Sequence, residues 1–197
     1  MTKTIEFYFD VGSPTAYLAY KRLQQLQQQY NCSIDYRPVL LGGLFKASGN
    51  SSPVMVPAKG RYMMMDDLPR FAKLYDVPLN SNPHFPINTL NLMRGAVAAL
   101  HGDYFDTYIS AVFNAIWVDS KNMGDMETVI EVLSTAGLNA SSILESTQDT
   151  DIKAKLITNT EDAVKRGLFG APTMFVDGEM FFGQDRLQFV EMTLQTK

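Results

Sequence analysis

The stretch FYFDVGSPTAYLAY, residues 7–20, constrains the fold most, because it joins an apolar strand to an apolar helix through one tight turn. Pro14 stands in the first helical turn, where its missing N–H is tolerated. The preceding TIEFYFD is rich in β-formers. After the helix, SIDYRPVLL alternates apolar and polar residues as a strand does, although Pro38 interrupts its pairing. Residues 1–40 therefore predict a βαβ unit.

The other end of the chain has a different order of elements. TDIKAKLITNTEDAVKRGLFG has a helical pattern that Gly167 and Gly170 close. APTMFVDGEMFFG predicts a hairpin, because Asp177-Gly178 is a turn pair that tolerates positive φ. QDRLQFVEMTLQTK then completes the chain as an amphipathic helix. This end is therefore predicted to supply a ββα unit.

The middle of the chain is predicted to be helical. GGLFKASGNSSPVMVPAKG is rich in Gly, Ser and Pro and predicts a loop, and helical patterns follow near 66–75, 88–101, 104–117 and 125–136. The order βαβ, helices, ββα indicates an α/β fold of the thioredoxin-like type. We predict a thioredoxin-like domain from residues 1–40 and 155–197, with an all-α domain, residues 41–154, inserted between its two halves.

Composition excludes several classes of protein. Hydrophobic residues make up 46% of the chain and charged residues 19%, which is an ordinary globular balance. The formal net charge is −4 and no basic block appears, so we expect no nucleic-acid partner. No apolar window approaches a membrane span, and MTKTIEFYFD lacks the apolar run of a signal peptide. These patterns predict a soluble, cytoplasmic protein without a membrane partner.

Several reactive residue types are predicted to be structural. Cys32 is the single cysteine, which excludes an intramolecular disulfide and favours a small, partly buried apolar residue. His84 and His101 have no ligand pattern around them, so no metal is expected. The methionines at 63–65 and Trp117 are predicted to lie in the core, and the alternative for the methionines is an adaptable apolar pocket beside a bound tripeptide. Asp10 closes the first strand, where it either tunes protons as a buried acid or caps the turn.

Pro172 stands immediately before a predicted strand. A proline there removes one ladder N–H, so the strand cannot pair normally at that point. If the Ala171–Pro172 bond is cis, the backbone of Ala171 is available to pair with an added peptide. The alternative is a rigid turn between loop and strand, and this signal alone does not decide between the two.

Three motifs together carry a resemblance to a known family. They are FYFDVGSPTAYLA, GNSSPVMVPAKGRYMMMDDLPRFAKLYDVPL and LFGAPTMFVDGEMFFGQDRL, and they span essentially the full chain. The chain resembles the kappa-class glutathione transferase and 2-hydroxychromene-2-carboxylate isomerase family, a glutathione-using branch of the DsbA-like thioredoxin superfamily. The resemblance places Ser13 where redox relatives have the attacking cysteine and Ala16 where they have the resolving one. It implies that bound glutathione supplies the thiol.

The resemblance also implies roles for individual residues. Ser13 stands at a helix N-terminus, where N–H groups and the dipole favour an anion, and its hydroxyl would hold the glutathione sulfur as thiolate. The alternative for Ser13 is a plain N-cap. Together with Ser13-Pro14 and the ββα ending, the resemblance predicts a cis Ala171–Pro172 bond, so that Ala171 and Pro172 would pair with the tripeptide backbone. Asn50 and Lys59 would bind the glycyl carboxylate, although both otherwise pass as solvated loop residues.

The other end of glutathione is assigned to the start of the last helix. The resemblance implies that Gln184 and Asp185 open this helix, that its N–H groups bind the γ-glutamyl carboxylate, and that Asp185 pairs with the amino group. The alternative for Asp185 is an ordinary acid in the first turn of a helix.

Within this family we favour one activity and keep two alternatives. The favoured one is a glutathione-dependent isomerase that interconverts 2-hydroxychromene-2-carboxylate and trans-o-hydroxybenzylidenepyruvate by reversible thiolate addition. The first alternative is a kappa-class-like transferase that conjugates electrophiles. The second is a non-catalytic, DsbA-like peptide-binding protein. The missing cysteine pair argues against a redox enzyme. Relatives are dimeric, so a homodimer acting on a small aromatic or electrophilic molecule is expected.

Overall fold

A four-stranded sheet lies at the centre of the computed structural model, which describes residues 2–195. Its strand order is β2-β1-β3-β4, with β1 parallel to β2 and antiparallel to β3, and β3 antiparallel to β4. The strands are β1 (Thr4–Phe9), β2 (Ser33–Pro38), β3 (Thr173–Val176) and β4 (Glu179–Phe182). The central pair β1 and β3 joins the two ends of the chain, so the site at the tip of β1 contains residues from both.

The two halves of the sheet carry the predicted connections. Helix α1 (Pro14–Tyr30) crosses from β1 to its parallel neighbour β2. The turn between β3 and β4 is Asp177-Gly178, with φ of 51° and 86°, which matches the predicted hairpin. The chain then forms a short 3-10 turn, Gln184–Arg186, before the last helix. The thioredoxin-like βαβ and ββα halves are confirmed.

Helices fill the sequence between β2 and β3. Within residues 2–195 they are α2 (Leu41–Ser48), α3 (Pro57–Tyr62), α4 (Leu68–Tyr75), α5 (Leu90–Leu100), α6 (Phe105–Trp117), α7 (Met126–Thr135), α8 (Ala140–Ser146) and α9 (Thr150–Lys165), and α10 (Leu187–Gln195) follows the sheet. Four of them, α4 to α7, confirm the four predicted helical patterns. None of the helices described has the length and apolar character to cross a membrane.

The predicted domain boundary falls inside a helix. Helix α9 begins at Thr150 and continues to Lys165, so it runs across the proposed division between residues 154 and 155. Residues 1, 196 and 197, which the proposed thioredoxin-like domain includes, lie outside the described residues. The division of the chain into two domains stays a prediction.

The predicted loop over residues 42–60 is wrong, because it contains helix α2, a 3-10 turn at Pro53–Met55 and helix α3. Helix α2 forms despite two glycines because Asp10 Oδ2 accepts the N–H of Leu41 at its first residue, at 2.8 Å. Gly43 allows α2 to lie close to α9, since a Cβ there would stand 3.0 Å from Thr160 Cγ2. Gly43 therefore marks close packing and not a break in the helix.

The core fixes the turn after β1 against the helices. Trp117 is fully buried, and its Nε1–H donates to the carbonyl of Val11, two residues before Ser13, at 2.8 Å. Cys32 is also buried, as predicted. The three methionines differ from the prediction, because Met63 and Met64 are half-buried whereas Met65 is 65% exposed. The reason is that residues 63–67 form a π-helical turn on the surface, with its side chains spread around its axis.

Candidate active site

Ser13 begins helix α1 as its N-cap. Its backbone is extended, with φ −94° and ψ 117°, and its Oγ accepts the N–H of Ala16 at 3.1 Å. Pro14 follows at the first helical position, where no N–H is needed. The positive end of the 17-residue helix therefore points at the Ser13 turn.

The hydroxyl of Ser13 also has a hydrogen to donate. Ser13 Oγ donates to the carbonyl oxygen of Ala171 at 3.2 Å. The hydroxyl oxygen of Thr15 lies 2.8 Å from Ser13 Oγ. Capping uses a lone pair of Oγ, whereas donation uses its hydrogen, so the capping role and the donor role are compatible. Ser13 is only 4% exposed, which shows that the turn is enclosed by the rest of the protein.

Asp10 lies beneath this turn and is fully enclosed. Its Oδ1 accepts the N–H of Gly12 at 2.9 Å and its Oδ2 accepts the N–H of Leu41 at 2.8 Å. Burial raises the pKa of Asp10, and the hydrogen bonds from Leu41, Gly12 and the Thr89 side chain oppose this rise. Asp10 therefore caps the turn, as one of the two readings expected, and also has a perturbed pKa.

The loop before β3 lies beside Ser13. The Ala171–Pro172 bond is cis, as predicted, and both residues are buried. Besides the bond that Ala171 accepts from Ser13, the carbonyl of Pro172 accepts the N–H of Gly183 at 3.0 Å. These contacts bring the N-terminal turn, this loop and the end of β4 to one place.

Asn50 and Lys59 come from the segment that follows α2. Asn50 is exposed, but its amide has protein partners: Nδ2 donates to the carbonyl of Phe169 at 2.9 Å, and Oδ1 accepts the N–H of Ser51 at 2.8 Å. Lys59 lies on α3, is exposed and forms no ion pair with any carboxylate of residues 2–195. Asn50 thus ties this segment to the loop before β3, whereas the Lys59 side chain is exposed.

Gln184 and Asp185 open the last helical stretch as predicted, but through a 3-10 turn that runs directly into α10. They lie in the 3-10 turn that precedes α10, and Gly183 before them has φ of 97°. A conformation with positive φ ends the strand and redirects the backbone before helical hydrogen bonding begins. Gln184 is buried and its carbonyl accepts the hydroxyl of Tyr75 at 2.6 Å. Asp185 is half-buried and pairs with Arg186 at 2.6 Å.

One cavity of about 710 Å³ collects these positions. All seven residues named from the sequence line it: Ser13, Asn50, Lys59, Ala171, Pro172, Gln184 and Asp185. Its volume lies in the range of about 300–1,000 Å³ that is usual for ligand pockets. Cys32 is not among its lining residues, so this wall offers no thiol. Within the described part of the chain, no three His, Cys, Asp or Glu side chains cluster as a metal site would require.

The sequence did not predict the apolar part of this wall. It is formed mainly by Leu41, Phe45, Met55, Val56, Met63, Phe85, Ile87 and Phe182. Three of them are unusually accessible for large apolar side chains, with Met55 72%, Val56 45% and Phe182 40% exposed. Phe85 and Ile87 flank Pro86, whose peptide bond is cis. Besides the methionines at 63–65, the apolar letters of NSSPVMVP inside a polar segment are an available signal, although the segment is predicted to be a loop.

Comparison with known proteins gives consistent relatives. The family model described as the DSBA-like thioredoxin domain matches residues 4–195. A 2-hydroxychromene-2-carboxylate isomerase of Sphingobium xenophagum is 35% identical over 98% of this chain and 99% of its own length. Glutathione S-transferase kappa 1 of Rattus norvegicus is 30% identical over 99% of this chain and 92% of its own length.

A solved structure supports the same relationship. The structure of a 2-hydroxychromene-2-carboxylate isomerase superimposes with a TM-score of 0.85 at 30% identity. The match covers 97% of this chain and 94% of that one. The similarity therefore includes the helices between the two halves of the sheet as well as the sheet itself.

Proposed function

Since the chain belongs to the DSBA-like thioredoxin domain family, and within it to the branch that contains 2-hydroxychromene-2-carboxylate isomerases and kappa-class glutathione transferases, we propose that it is a glutathione-dependent isomerase. Its reaction is the interconversion of 2-hydroxychromene-2-carboxylate and trans-o-hydroxybenzylidenepyruvate. The observation that carries the proposal is the Ser13 turn: a hydroxyl donor at a helix N-terminus, in a cavity with no cysteine in its wall.

The residues of the cavity fit glutathione. Glutathione has two carboxylates, one ammonium group, a peptide backbone and a thiol. Lys59 offers a cation for one carboxylate and Asp185 an anion for the ammonium group. The backbone beside Pro172 is suited to the peptide part, and Asn50 holds the segment that carries Lys59 against this loop. These residues offer partners for one carboxylate, the ammonium group and the peptide backbone, and the N–H groups of the Gln184–Arg186 turn remain for the second carboxylate.

Ser13 would act on the sulfur. When bound, glutathione supplies the nucleophilic thiol that the chain lacks. A free thiol with a pKa near 8.5 is only a few per cent ionised at neutral pH, so a protein must favour the thiolate. Ser13 Oγ lies 3.2 Å from the carbonyl oxygen of Ala171, which is longer than the usual O–H···O range of about 2.5–3.0 Å, and 2.8 Å from Thr15 Oγ1. A charged acceptor in the cavity would take the hydroxyl hydrogen of Ser13, while the Oγ lone pair keeps the cap on α1.

The apolar wall supports an aromatic substrate. Phe45, Phe85 and Phe182 present ring surfaces to the cavity, and Met55 adds a side chain that adapts its shape. An aromatic ring buried there gains from apolar contact and from offset stacking. A carboxylate on the same substrate would remain near the polar residues of the cavity.

A kappa-class-like glutathione transferase is the second candidate. The 30% identity to the rat kappa enzyme over nearly the whole chain favours it, and the thiolate-stabilising turn serves conjugation equally well. The two candidates differ in the fate of glutathione, which an isomerase returns and a transferase consumes.

One assay separates them. The purified chain is given reduced glutathione with either 2-hydroxychromene-2-carboxylate or a chlorodinitrobenzene-type electrophile, and free thiol is counted in both reactions. The proposal expects glutathione-dependent loss of the chromene absorbance with no net loss of thiol. Conjugation of the electrophile without turnover of the chromene would replace the isomerase with the transferase. If neither reaction depends on glutathione, both candidate functions are wrong.

We further propose that the enzyme works in the cytoplasm as a homodimer. Thiols, including that of glutathione, are kept reduced in the cytosol, which suits an enzyme that borrows one. The homodimer is inferred from the resemblance to a family whose members are dimeric. Light scattering of the purified chain at assay concentration tests it, and a monomeric mass would contradict it.

A further inference from the structure

A second cavity, of about 440 Å³, lies between helices α2, α5 and α9. Its wall is mainly apolar, with Leu40, Gly43, Ala47, Leu90, Leu156, Ile157 and Val164. None of its lining residues belongs to the active-site cavity. Because Ile157 at its edge is 58% exposed, a small molecule can reach the cavity from solvent.

Arg94 is the unusual residue of this wall. Its Nε is buried and is the one buried side-chain nitrogen or oxygen within residues 2–195 that has no hydrogen-bond partner. The rest of the guanidinium contributes one long contact, from Nη1 to Asn91 Oδ1 at 3.5 Å. No carboxylate of the described residues forms an ion pair with it. A buried polar group left unpaired is costly. Because Nε is shielded from solvent, Nη1 and Nη2 are the guanidinium nitrogens left for a ligand in the cavity.

The charges around the cavity favour an anion. Lys153 and Lys165 join Arg94 in the wall, against the single acid Glu161. Lys165 is paired with Asp162 at 2.8 Å, outside the lining, whereas Lys153 has no ion pair with any carboxylate of the described residues. The cationic excess therefore comes from Arg94 and Lys153.

We propose that this second cavity binds a small molecule that has an apolar body and one carboxylate. The carboxylate pairs with the guanidinium of Arg94, which presents donors in a planar fork that matches two oxygens. The apolar body fills the space between α2 and α9. A pocket of apolar lining with one convergent charged group is the usual form of a small-molecule site. The proposal is independent of the reaction assigned to the first cavity.

Calorimetric titration of the purified full chain tests the proposal. Octanoate represents an acyl carboxylate and trans-cinnamate an aromatic one, and the tighter of the two identifies the kind of body that the cavity accepts. Octan-1-ol, which has an apolar tail but no carboxylate, is the uncharged control. We expect a carboxylate to bind and Arg94→Gln to weaken it about 10-fold or more, since a hydrogen-bonded ion pair is lost. Octan-1-ol should bind both proteins equally.

Matched variants separate the two cavities. Ala47→Phe narrows the second cavity and should abolish carboxylate binding. Met55→Trp narrows the active-site cavity and should leave carboxylate binding unchanged. Lys46→Gln removes a charge from α2 outside both linings and is the control for net charge. Arg94→Lys keeps the charge without the fork and should bind with intermediate affinity, which also covers a failure of Arg94→Gln to fold.

Three results would overturn the proposal. The first is equal carboxylate affinity in wild type, Arg94→Gln and Arg94→Lys. The second is loss of binding in Met55→Trp but not in Ala47→Phe, which would move the ligand to the active site. The third is no binding of either acid at millimolar concentration. If, in that case, Ala47→Phe dissociates a dimer, the cavity is an interface between two copies of the chain.

Discussion

The Ser13 turn and the segment from Asn50 to Lys59 form two parts of the same cavity, and they are built in opposite ways. Ser13 and Asp10 are 4% and 2% exposed, and their side chains bond to the backbone of three separate stretches of chain. The other segment is largely exposed, with Met55 at 72%. Its charged side chain, Lys59, is held by no ion pair with a carboxylate of residues 2–195.

The difference separates two tasks. A group that stabilises charge at a reacting atom acts best when it is fixed before the substrate arrives, because no reorganisation then opposes the reaction. A group that attracts a carboxylate through solvent needs reach more than rigidity, and a lysine on a flexible stem provides it. The buried part is therefore expected to set turnover, and the exposed part the affinity for glutathione.

Ser13→Ala tests the buried part and has the largest expected effect. The bound thiol loses its donor, and a hydrogen bond to a charged group is worth about 1.5–3 kcal/mol, or about one to two pKa units. Turnover at pH 7 should fall about 10-fold or more. It should recover in part at higher pH, where the thiol ionises without help. Thiolate absorbance near 240 nm (a general property of thiolates), titrated in both glutathione-bound proteins, measures the shift directly.

A second N-cap provides the control for stability. Asn139 caps α8 by accepting the N–H of Ser142 at 3.1 Å and does not line the cavity. Both Ser13→Ala and Asn139→Ala should lose about 1 kcal/mol of unfolding free energy. Only Ser13→Ala should lose turnover. Equal turnover and equal thiol titration in wild type and Ser13→Ala would reduce Ser13 to a cap.

Asp10→Asn tests what fixes the buried part. An amide has one acceptor oxygen, so either the Gly12 or the Leu41 N–H loses its partner, at a cost of about 1–3 kcal/mol. The pKa of Asp10 in the folded protein lies above its ordinary value of 3.8. The free energy of unfolding that Asp10 contributes is therefore fully present below pH 3.8 and is lost as the pH rises through the folded pKa. The gap between wild type and variant should therefore narrow as pH rises from 4.

Denaturant unfolding at a series of pH values measures this gap. A gap that stays constant from pH 4 to 8 would mean that Asp10 does not titrate differently in the folded chain. A variant as stable as the wild type throughout would show that the two backbone hydrogen bonds do not hold the turn and α2 together.

Lys59→Ala tests the exposed part and should have a smaller effect. The KM for glutathione should rise about 2- to 5-fold with kcat unchanged, because an exposed ion pair contributes little and is shared by ground and transition states. Lys46→Ala removes an exposed lysine outside the cavity and should change neither constant. A fall in kcat of Lys59→Ala would break the division of tasks between the two parts.

Asp185→Asn should have the smallest effect. Its carboxylate is already paired with Arg186 at 2.6 Å, so its gain from the ammonium group of glutathione is partly offset by a weakened pair. We expect the KM for glutathione to rise about 2-fold. Asp103→Asn, an exposed acid outside the cavity, is the matched control. An unchanged KM for glutathione in Asp185→Asn would remove Asp185 from the binding site.

The buried part was predictable from the sequence because its signals are local. Ser13 and Pro14 in adjacent positions predicted a capped helix start, and Asp177-Gly178 predicted the hairpin that brings the last strand into the sheet. The cis bond at Pro172 followed from a proline immediately before a strand, read together with the family resemblance. Each of these features needs only a few neighbouring residues to form.

The other features of the fold and the site could not be predicted from the sequence, because they depend on contacts between distant residues. The sequence predicts a loop where α2 lies, because two contacts of this helix are with distant residues. Its N-terminus is held by Asp10, 31 positions earlier, and Gly43 leaves room for the side chain of Thr160. The pattern predicts that Gln184 and Asp185 begin the last helix, but it does not reveal that this first turn is 3-10. The unpaired nitrogen of Arg94 has no signature in the sequence at all.

Helix α2 is eight residues long, and its two faces belong to different cavities. Leu41, Gly42 and Phe45 face the active-site cavity, while Leu40 just before the helix, Gly43 and Ala47 line the second. With only one helix between them, neither space can be enlarged toward the other without displacing the wall of its neighbour. A substitution on one face of α2 is therefore expected to change the shape of both cavities, and directed evolution of the enzyme should recover changes on the far side of α2.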